Sequence, residues 1–492
     1  MTEHDKGAHI STIVSADVWE ATCKEIGDGR WNLLALWGDT GLVRMALWDT
    51  RENEITLIGL ACPEGTFPSV ARHHPPALRL ERAIKDLFGL VPLDTPDTRP
   101  WLDHGRWGVC EPLGQNRPAV AKTPYVFLPA EGESLHKIPV GPVHAGIIEP
   151  GHFRFTASGE TVVRLEERLG YVHRGIEQLM AGADLPHAAK LAGRVSGDST
   201  VAYQLAFARA AENALGHAAP PRAHWLRALM AEMERIANHL GDIGAICNDA
   251  SFPLMQAHCG ILRERVLRAA GNCFGHRLMR DLIVPGGVTA DISAKATDIL
   301  RRLLDVLQKD LPPLVRLYDN TPSLLERTVG TGILKPKLAR QYAAGGYIGR
   351  ASGRNFDARR MIHYPPYGAL NFEVQMRLDG DVNARVWIRI LEVKQSIALI
   401  RQILDGMPEG NIFAPPPLAG TPREGYALVE GFRGDVFVWL GLDAEGRVRR
   451  CHLRDPSWFQ WPLLEAAIEG NIVADFPLCN KSFNCSYAGH DL

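Results

Sequence analysis

Two short runs carry the side chains best suited to chemistry. Arg194-Val195-Ser196-Gly197-Asp198-Ser199 sets a carboxylate between two hydroxyls, near a cation. Ser482-Phe483-Asn484-Cys485-Ser486-Tyr487-Ala488-Gly489-His490-Asp491-Leu492 offers hydroxyls, a thiol, an imidazole and an acid. As ligands for a soft metal these donors are poor. A serine hydroxyl stays protonated near neutral pH, Gly489 has no side chain, and such metals want thiolates. Cys479 and Cys485 lack a usual zinc or cluster spacing and read as ordinary buried cysteines. Asp198 falls at a helix N-terminus, where the dipole favours an anion, as a cap or as a functional group. A carboxylate such as Glu149 relays protons if a cavity raises its pKa; on an open surface it is only a salt-bridging acid. Gly330-Thr331-Gly332 begins like a dinucleotide fingerprint, but Lys335 takes the third-glycine position and no βαβ unit surrounds it, which argues against nicotinamide binding. His73-His74 reads as a loop pair. Arg350, Arg354, Arg359 and Arg360 read as a basic loop, for a phosphate or, better, an inter-subunit surface.

The elements that must position these groups fall into two parts. Net charge is −2, so no global basic field points to nucleic acid. Nine scattered cysteines, an odd number, fit a reduced protein rather than a disulfide framework. The Met1–Lys6 start lacks the apolar core of a signal peptide, and no apolar run is long enough to span a bilayer. The fold class is α+β. Residues 1–120 predict a small α+β domain, with strands at 31–37, 42–48 and 54–60 and a helix over 78–87 ended by Gly89. Residues 121–137 predict an extended linker. Residues 138–492 predict a mainly helical domain with short β segments: a hairpin turning at Ser158-Gly159, helices over 175–180, 199–215, 224–247, 254–274, 292–310 and 382–404, then strands at 426–430, 436–440 and 448–453.

With these residues in view, a family resemblance emerges. Glu64-Gly65-Thr66-Phe67-Pro68-Ser69 followed by Glu81-Arg82-Ala83-Ile84-Lys85-Asp86-Leu87-Phe88-Gly89 resembles the C subunit of respiratory complex I. Gly141-Pro142-Val143-His144, Glu149-Pro150-Gly151-His152-Phe153-Arg154, His173-Arg174-Gly175-Ile176-Glu177, Glu232 to Leu240, Pro285-Gly286-Gly287-Val288 and Arg385 to Ser396 resemble the D subunit and group-four hydrogenase large subunits. The two opening runs resemble the cysteine motifs R-V-C-G-x-C and S-L-D-P-C-x-x-C of nickel–iron hydrogenases, with Ser196, Ser199, Ser486 and Gly489 at the four cysteine positions. One chain carrying both sets in order is similar to the fused large subunit of formate hydrogenlyase and, more closely, of the hydrogenase-four component G type. The tail ends where a mature hydrogenase ends, and the resemblance leaves a maturation protease nothing to check.

The resemblance implies a core subunit of a membrane-associated oxidoreductase that binds no cofactor itself and has no nickel–iron centre. It would sit peripherally on the cytoplasmic face of the inner membrane. Its partners would be a small subunit holding a four-iron four-sulfur cluster, with antiporter-like and quinone-module-like membrane subunits. Glu149 aligns with the glutamate that carries protons beside the hydrogenase metal. His173 and Arg174 would face the partner's cluster, where a fixed positive charge favours the reduced form. Pro150 and Gly197 stand where complex I places its quinone-contacting histidine and tyrosine, and Met279 where it places a cluster-facing histidine. Glu149, Asp198 and Arg194 are expected in one cavity, with a buried Arg194 paired to a carboxylate. Two alternatives remain at this point: a non-catalytic scaffold of the same assembly, and a hydrogenase with unusual ligands.

Overall fold

The structure, a computed structural model, describes residues 11–119, 124–132, 134–144, 146 and 148–492. The Met1–Lys6 start and part of the 121–137 linker lie outside them. A small N-terminal sheet domain precedes a mainly helical domain with short β segments, the predicted α+β architecture. Among the described residues no helix is long and apolar enough to cross a membrane.

The N-terminal sheet contains Thr12–Val14, Glu54–Ala61, Leu42–Asp49 and Trp31–Asp39, in that spatial order. The first pairs parallel to Glu54–Ala61 and the rest are antiparallel. The helix Ala16–Gly27, whose Ser15 cap accepts from Val18 N, was not foreseen from the sequence. The Leu78–Phe88 helix ends as expected on a left-handed Gly89, at φ 73. Its charged motif does structural work. Glu81 accepts from Ser69 Oγ at 2.9 Å and from the Val70 and Ala71 amides. Asp86 accepts from the Trp101 and Leu102 amides at 2.6 and 2.8 Å. Both acids therefore anchor loops whose amides would otherwise be unsatisfied.

One face of this sheet packs on a C-terminal sheet made of Arg423–Glu430, Asp435–Leu442 and Val448–Arg454. Trp37 stacks on His452 at 5.0 Å and meets Trp439 at 5.6 Å. Arg454 Nε donates to Leu34 O at 2.6 Å. This brace fixes the strand that leads directly into Asp455.

The helical domain centres on Pro221–Asp249, packed between Pro253–Phe274 and Val382–Gly406. The predicted helices keep their bounds to within a few residues except the one predicted over 292–310, which is Ala294–Asp319 and runs on through Pro312 and Pro313. The carbonyls deprived of partners there belong to exposed Gln308 and Lys309, where water can satisfy them. The central helix is buried on nearly every side, so its polar residues need partners inside the protein. Glu232, Arg235, His239 and Asp242 share one face by helical spacing, as do Arg385, Arg389, Glu392 and Ser396 of the facing helix. They close a charged seam: Ser396 Oγ to Glu232 at 2.6 Å, His239 Nε2 to Glu392 at 2.7 Å and Arg389 Nε to Asp242 at 3.1 Å.

This seam overturns the reading of Arg350, Arg354 and Arg359 as a basic surface loop. All three are buried. Arg350 donates to Glu392 and Glu430, both at 2.8 Å, and Arg359 to Glu232 at 2.9 Å and Asp357 at 2.6 Å. Sequence spacing on a loop cannot reveal such pairing, because every acid involved except Asp357 comes from a distant segment.

Candidate functional site

The two polar runs come together. Ser196 Oγ lies 3.1 Å from Ser486 Oγ and donates to Asp198 Oδ1 at 2.7 Å. Arg433, from the turn between Arg423–Glu430 and Asp435–Leu442, completes the cluster. Its Nη2 donates to Asp198 Oδ2 at 2.6 Å and its Nη1 to Ser199 Oγ at 3.1 Å. The tail reaches this point because the charged seam continues into it. Arg389 donates to Ser482 O at 2.8 Å, Arg385 to Ser482 Oγ at 2.9 Å, and Asn484 Nδ2 to Asp242 at 3.0 Å. Asn484 then adopts φ 47, which asparagine tolerates, and turns the chain so that Ser486 faces Ser196. Ser486 Oγ also caps the last helix by accepting from Gly489 N at 2.9 Å.

The space at Gly489, where the resemblance puts a fourth cysteine, is filled rather than open. A Cβ on Gly489 would come within 2.7 Å of Asp455 Cγ, and closer still to Oδ2. Asp455 cannot step aside freely, since it accepts from Tyr203 OH at 2.7 Å and Ser457 N at 2.8 Å. The donor set therefore does not fit a thiolate-held nickel–iron centre: three hydroxyls are committed to one another or to Asp198 and Arg433, and the fourth position has no side chain. Among the described residues, no three His, Cys, Asp or Glu side chains gather as metal donors.

Electrostatics divide the acids into two kinds. Burial alone would raise the Asp198 pKa, but the Arg433 charge and the hydrogen bonds from Arg433 and Ser196 outweigh it and hold the group at about 2. Asp198 is a fixed anion. Glu149 is exposed rather than enclosed in a cavity with Asp198, but its half-buried carboxylate accepts from Ala488 N at 3.0 Å. Burial of that carboxylate raises its pKa, and the charges of Asp198 and Asp491 add to the rise, against the Ala488 amide and Arg174. Glu234, fully buried beside Asp198, is pushed up to about 8 by burial, although it accepts from Val201 and Ala202 N at 2.7 and 3.2 Å. Glu234 can thus change protonation near neutral pH, Glu149 is shifted in the same direction, and Asp198 stays ionised.

Arg194 departs from expectation. Instead of a buried partner at Glu149 or Asp198, it forms a forked pair with Asp281 at 2.6 and 2.8 Å, with side chains 39% and 33% exposed. Its side chain points out of the cluster, so only its carbonyl belongs to it. Arg194→Ala should cost less than about 1 kcal/mol in a thermal or urea unfolding measurement; a loss of several kcal/mol would mean that the residue is buried in the assembled protein. Arg174 takes the bridging role, donating to the carbonyls of Arg194, Val195 and Ala488 at 3.0, 2.7 and 3.3 Å. His173 bonds Asp491 O at 2.7 Å and stacks on Trp107 at 4.5 Å. Arg174 is exposed and His173 half-buried, so both are open to a neighbour.

Sequence reasoning missed Arg433, Asp455 and Glu234. Glu234 lay inside a recognised motif, a usable signal. Arg433 sits in a hairpin turn and Asp455 before a proline, and neither pattern betrays a buried partner.

Fold and site define a class: a complex I C-type sheet domain joined to a D-type helical domain related to hydrogenase large subunits. Residues 14–123 match the family of the respiratory-chain NADH dehydrogenase 30 Kd subunit, residues 255–422 and 418–491 that of its 49 Kd subunit, and residues 174–241 nickel-dependent hydrogenase. The chain is 31% identical to formate hydrogenlyase subunit 5 of Escherichia coli, over 86% of this chain and 77% of that protein. Identity to hydrogenase-4 component G of Escherichia coli is also 31%, over 86% and 76%. Carbon monoxide-induced hydrogenase of Rhodospirillum rubrum is 32% identical, over 71% and 98%. A chain in the structure of the membrane-bound sulfane sulfur reductase, an archaeal respiratory membrane complex, superposes with a TM-score of 0.69 at 26% identity, covering 73% of this chain and 99% of that one. The chain belongs to the family of complex-I-like and group-four hydrogenase large subunits, in the fused form of formate hydrogenlyase subunit 5 and hydrogenase-4 component G.

Proposed function

We propose that this chain is a core subunit of a membrane-associated, complex-I-like oxidoreductase that carries no nickel–iron centre of its own. In this reading it couples electron arrival on a partner's four-iron cluster to proton movement through Glu149. The carrying observation is that Ser196, Ser199 and Ser486, at three of the four cysteine positions, are bound up with Asp198 and Arg433 while Gly489 has no side chain, with Glu149 held against the same tail. Exposed Arg174 and half-buried His173 present the face for the small iron–sulfur subunit. Asp198 and Arg433 form a fixed, nearly neutral pair. An added electron nearby raises the proton affinity of a carboxyl able to respond, and this reading gives that part to Glu149, beside the tail and Arg174, rather than to the enclosed Glu234. When the electron leaves, the proton is released. The same reading attaches it peripherally to antiporter-like and quinone-module-like subunits on the cytoplasmic face; relatives named as a hydrogenase component and a quinone oxidoreductase subunit support it.

The test is electron transfer in the intact complex carrying Glu149→Gln, which keeps the hydrogen-bond acceptor but cannot ionise. Proton-coupled turnover should fall at least about tenfold, near 1.4 kcal/mol of barrier, with assembly unchanged. Unaltered turnover would favour the scaffold reading, which has its own support in the closed hydrogen bonding of the cluster.

A further inference from the structure

A second polar cavity lies away from this cluster, where the 100–106 and 124–127 segments cross the Leu135–Val140, His152–Ser158 and Thr161–Arg168 sheet. Its volume is about 500 Å³, within the range of small-ligand sites. Arg106, Arg154 and Arg168 line it, and among the described residues none of the three pairs with a carboxylate. Arg168 is buried and spends its donors on carbonyls, those of Pro100, Trp101 and Asp103. Burial pulls its pKa down to about 10, which still leaves it charged at neutral pH. Arg154 lies over the Phe127 ring at 4.3 Å and donates through Nε to His152 Nε2 at 3.3 Å. Its two terminal amino groups have no protein acceptor among the described residues. The histidines do not supply the charge: burial lowers His104 to about 4 and also lowers His152. Asp103 is the lining acid, so arginines outnumber acids three to one among the lining residues.

We propose that this cavity binds a phosphate group. A planar guanidinium fork matches phosphate oxygens in pairs, and cations approaching from separate segments suit a tetrahedral anion better than a planar carboxylate. Tyr125, Phe127 and Tyr171 would flank whatever the phosphate is attached to. Two sources share this chemistry, free phosphate and the headgroup of an anionic phospholipid. Apolar side chains stand exposed beside the mouth: Val126, between two lining residues, is 71% exposed, and Val143, next to lining Pro142, is 71% exposed. The inference does not rest on the redox reading above.

The test titrates the full chain with inorganic phosphate by calorimetry. In parallel it measures flotation with vesicles of phosphatidylcholine alone or with added phosphatidylglycerol. Arg154→Gln removes the free fork; Arg106→Gln, at an exposed side chain with no bond to lose, guards against a folding failure. Saturable phosphate binding weakened about tenfold or more by Arg154→Gln supports the site with free phosphate as its source. Flotation only on phosphatidylglycerol vesicles, reduced by either variant, supports it with the headgroup as source. Phosphate binding and flotation that are both absent, or both indifferent to the two variants, overturn the proposal.

Discussion

Arg350→Met should destabilise the protein by about 3–5 kcal/mol, the loss expected when one partner of a buried ion pair is removed. Arg350 is the cation between Glu392 of the Val382–Gly406 helix and Glu430 of the Arg423–Glu430 strand, and none of the three is exposed. Methionine fills much of the volume but leaves two carboxylates facing each other without the charge that holds them. Burial first, then the Asp357 charge, already lifts Glu430 to about 7 against the pull of Arg350. Since domains are stable by only about 5–15 kcal/mol, the variant should unfold at markedly lower urea or temperature. Arg350→Lys should recover part of the loss, because it restores charge without the fork. A Met variant as stable as the parent would show that the seam is hydrated or rearranged.

The second large effect lies at the tail. Gly489→Ala should cost about 1–3 kcal/mol, the usual penalty for forcing atoms into a packed interior. The added methyl meets the Asp455 carboxyl, which Tyr203 and Ser457 hold in place. Asp455→Ala alone should also cost, since it leaves the buried Tyr203 hydroxyl unpaired. In that background, however, Gly489→Ala should cost much less, the tight neighbour that remains being Ser486 Oγ at 3.0 Å. A double-mutant cycle reads the difference directly. Additive losses would mean that Asp455 does not occupy the space a fourth ligand would need. The same clash predicts that putting cysteines back at 196, 199, 486 and 489 is not sufficient to rebuild a thiolate site.

The two halves and the main helices were legible because their signals are local. Apolar runs on either side of the Gly38-Asp39-Thr40-Gly41 turn mark the first hairpin, and helical periodicity marks Thr200–Leu215 and Val382–Gly406. The ends of the central helix were harder, since it is buried on most sides and shows no single apolar face to end on. Short helices such as Leu185–Ala192 and Phe476–Phe483 were missed although each carries a local signal, an Asp184 cap and a first-turn proline in one and a first-turn proline and left-handed Asn484 in the other; they are too short for periodicity to register. At the site, motif order brought Ser196 and Ser486 into view, and they do meet. Arg194 was misjudged because position in a motif says nothing of side-chain direction, and Asp281, 87 residues on, captured it. Arg433 and Asp455 were invisible for the same reason: their roles exist only once distant strands are assembled.

Nickel content of the intact purified complex, measured by elemental analysis alongside its electron-transfer rate, tests the central claim most directly. Turnover with nickel far below one atom per chain, and iron accounted for by the partner's cluster, is the predicted result. Stoichiometric nickel that rises and falls with activity would contradict it.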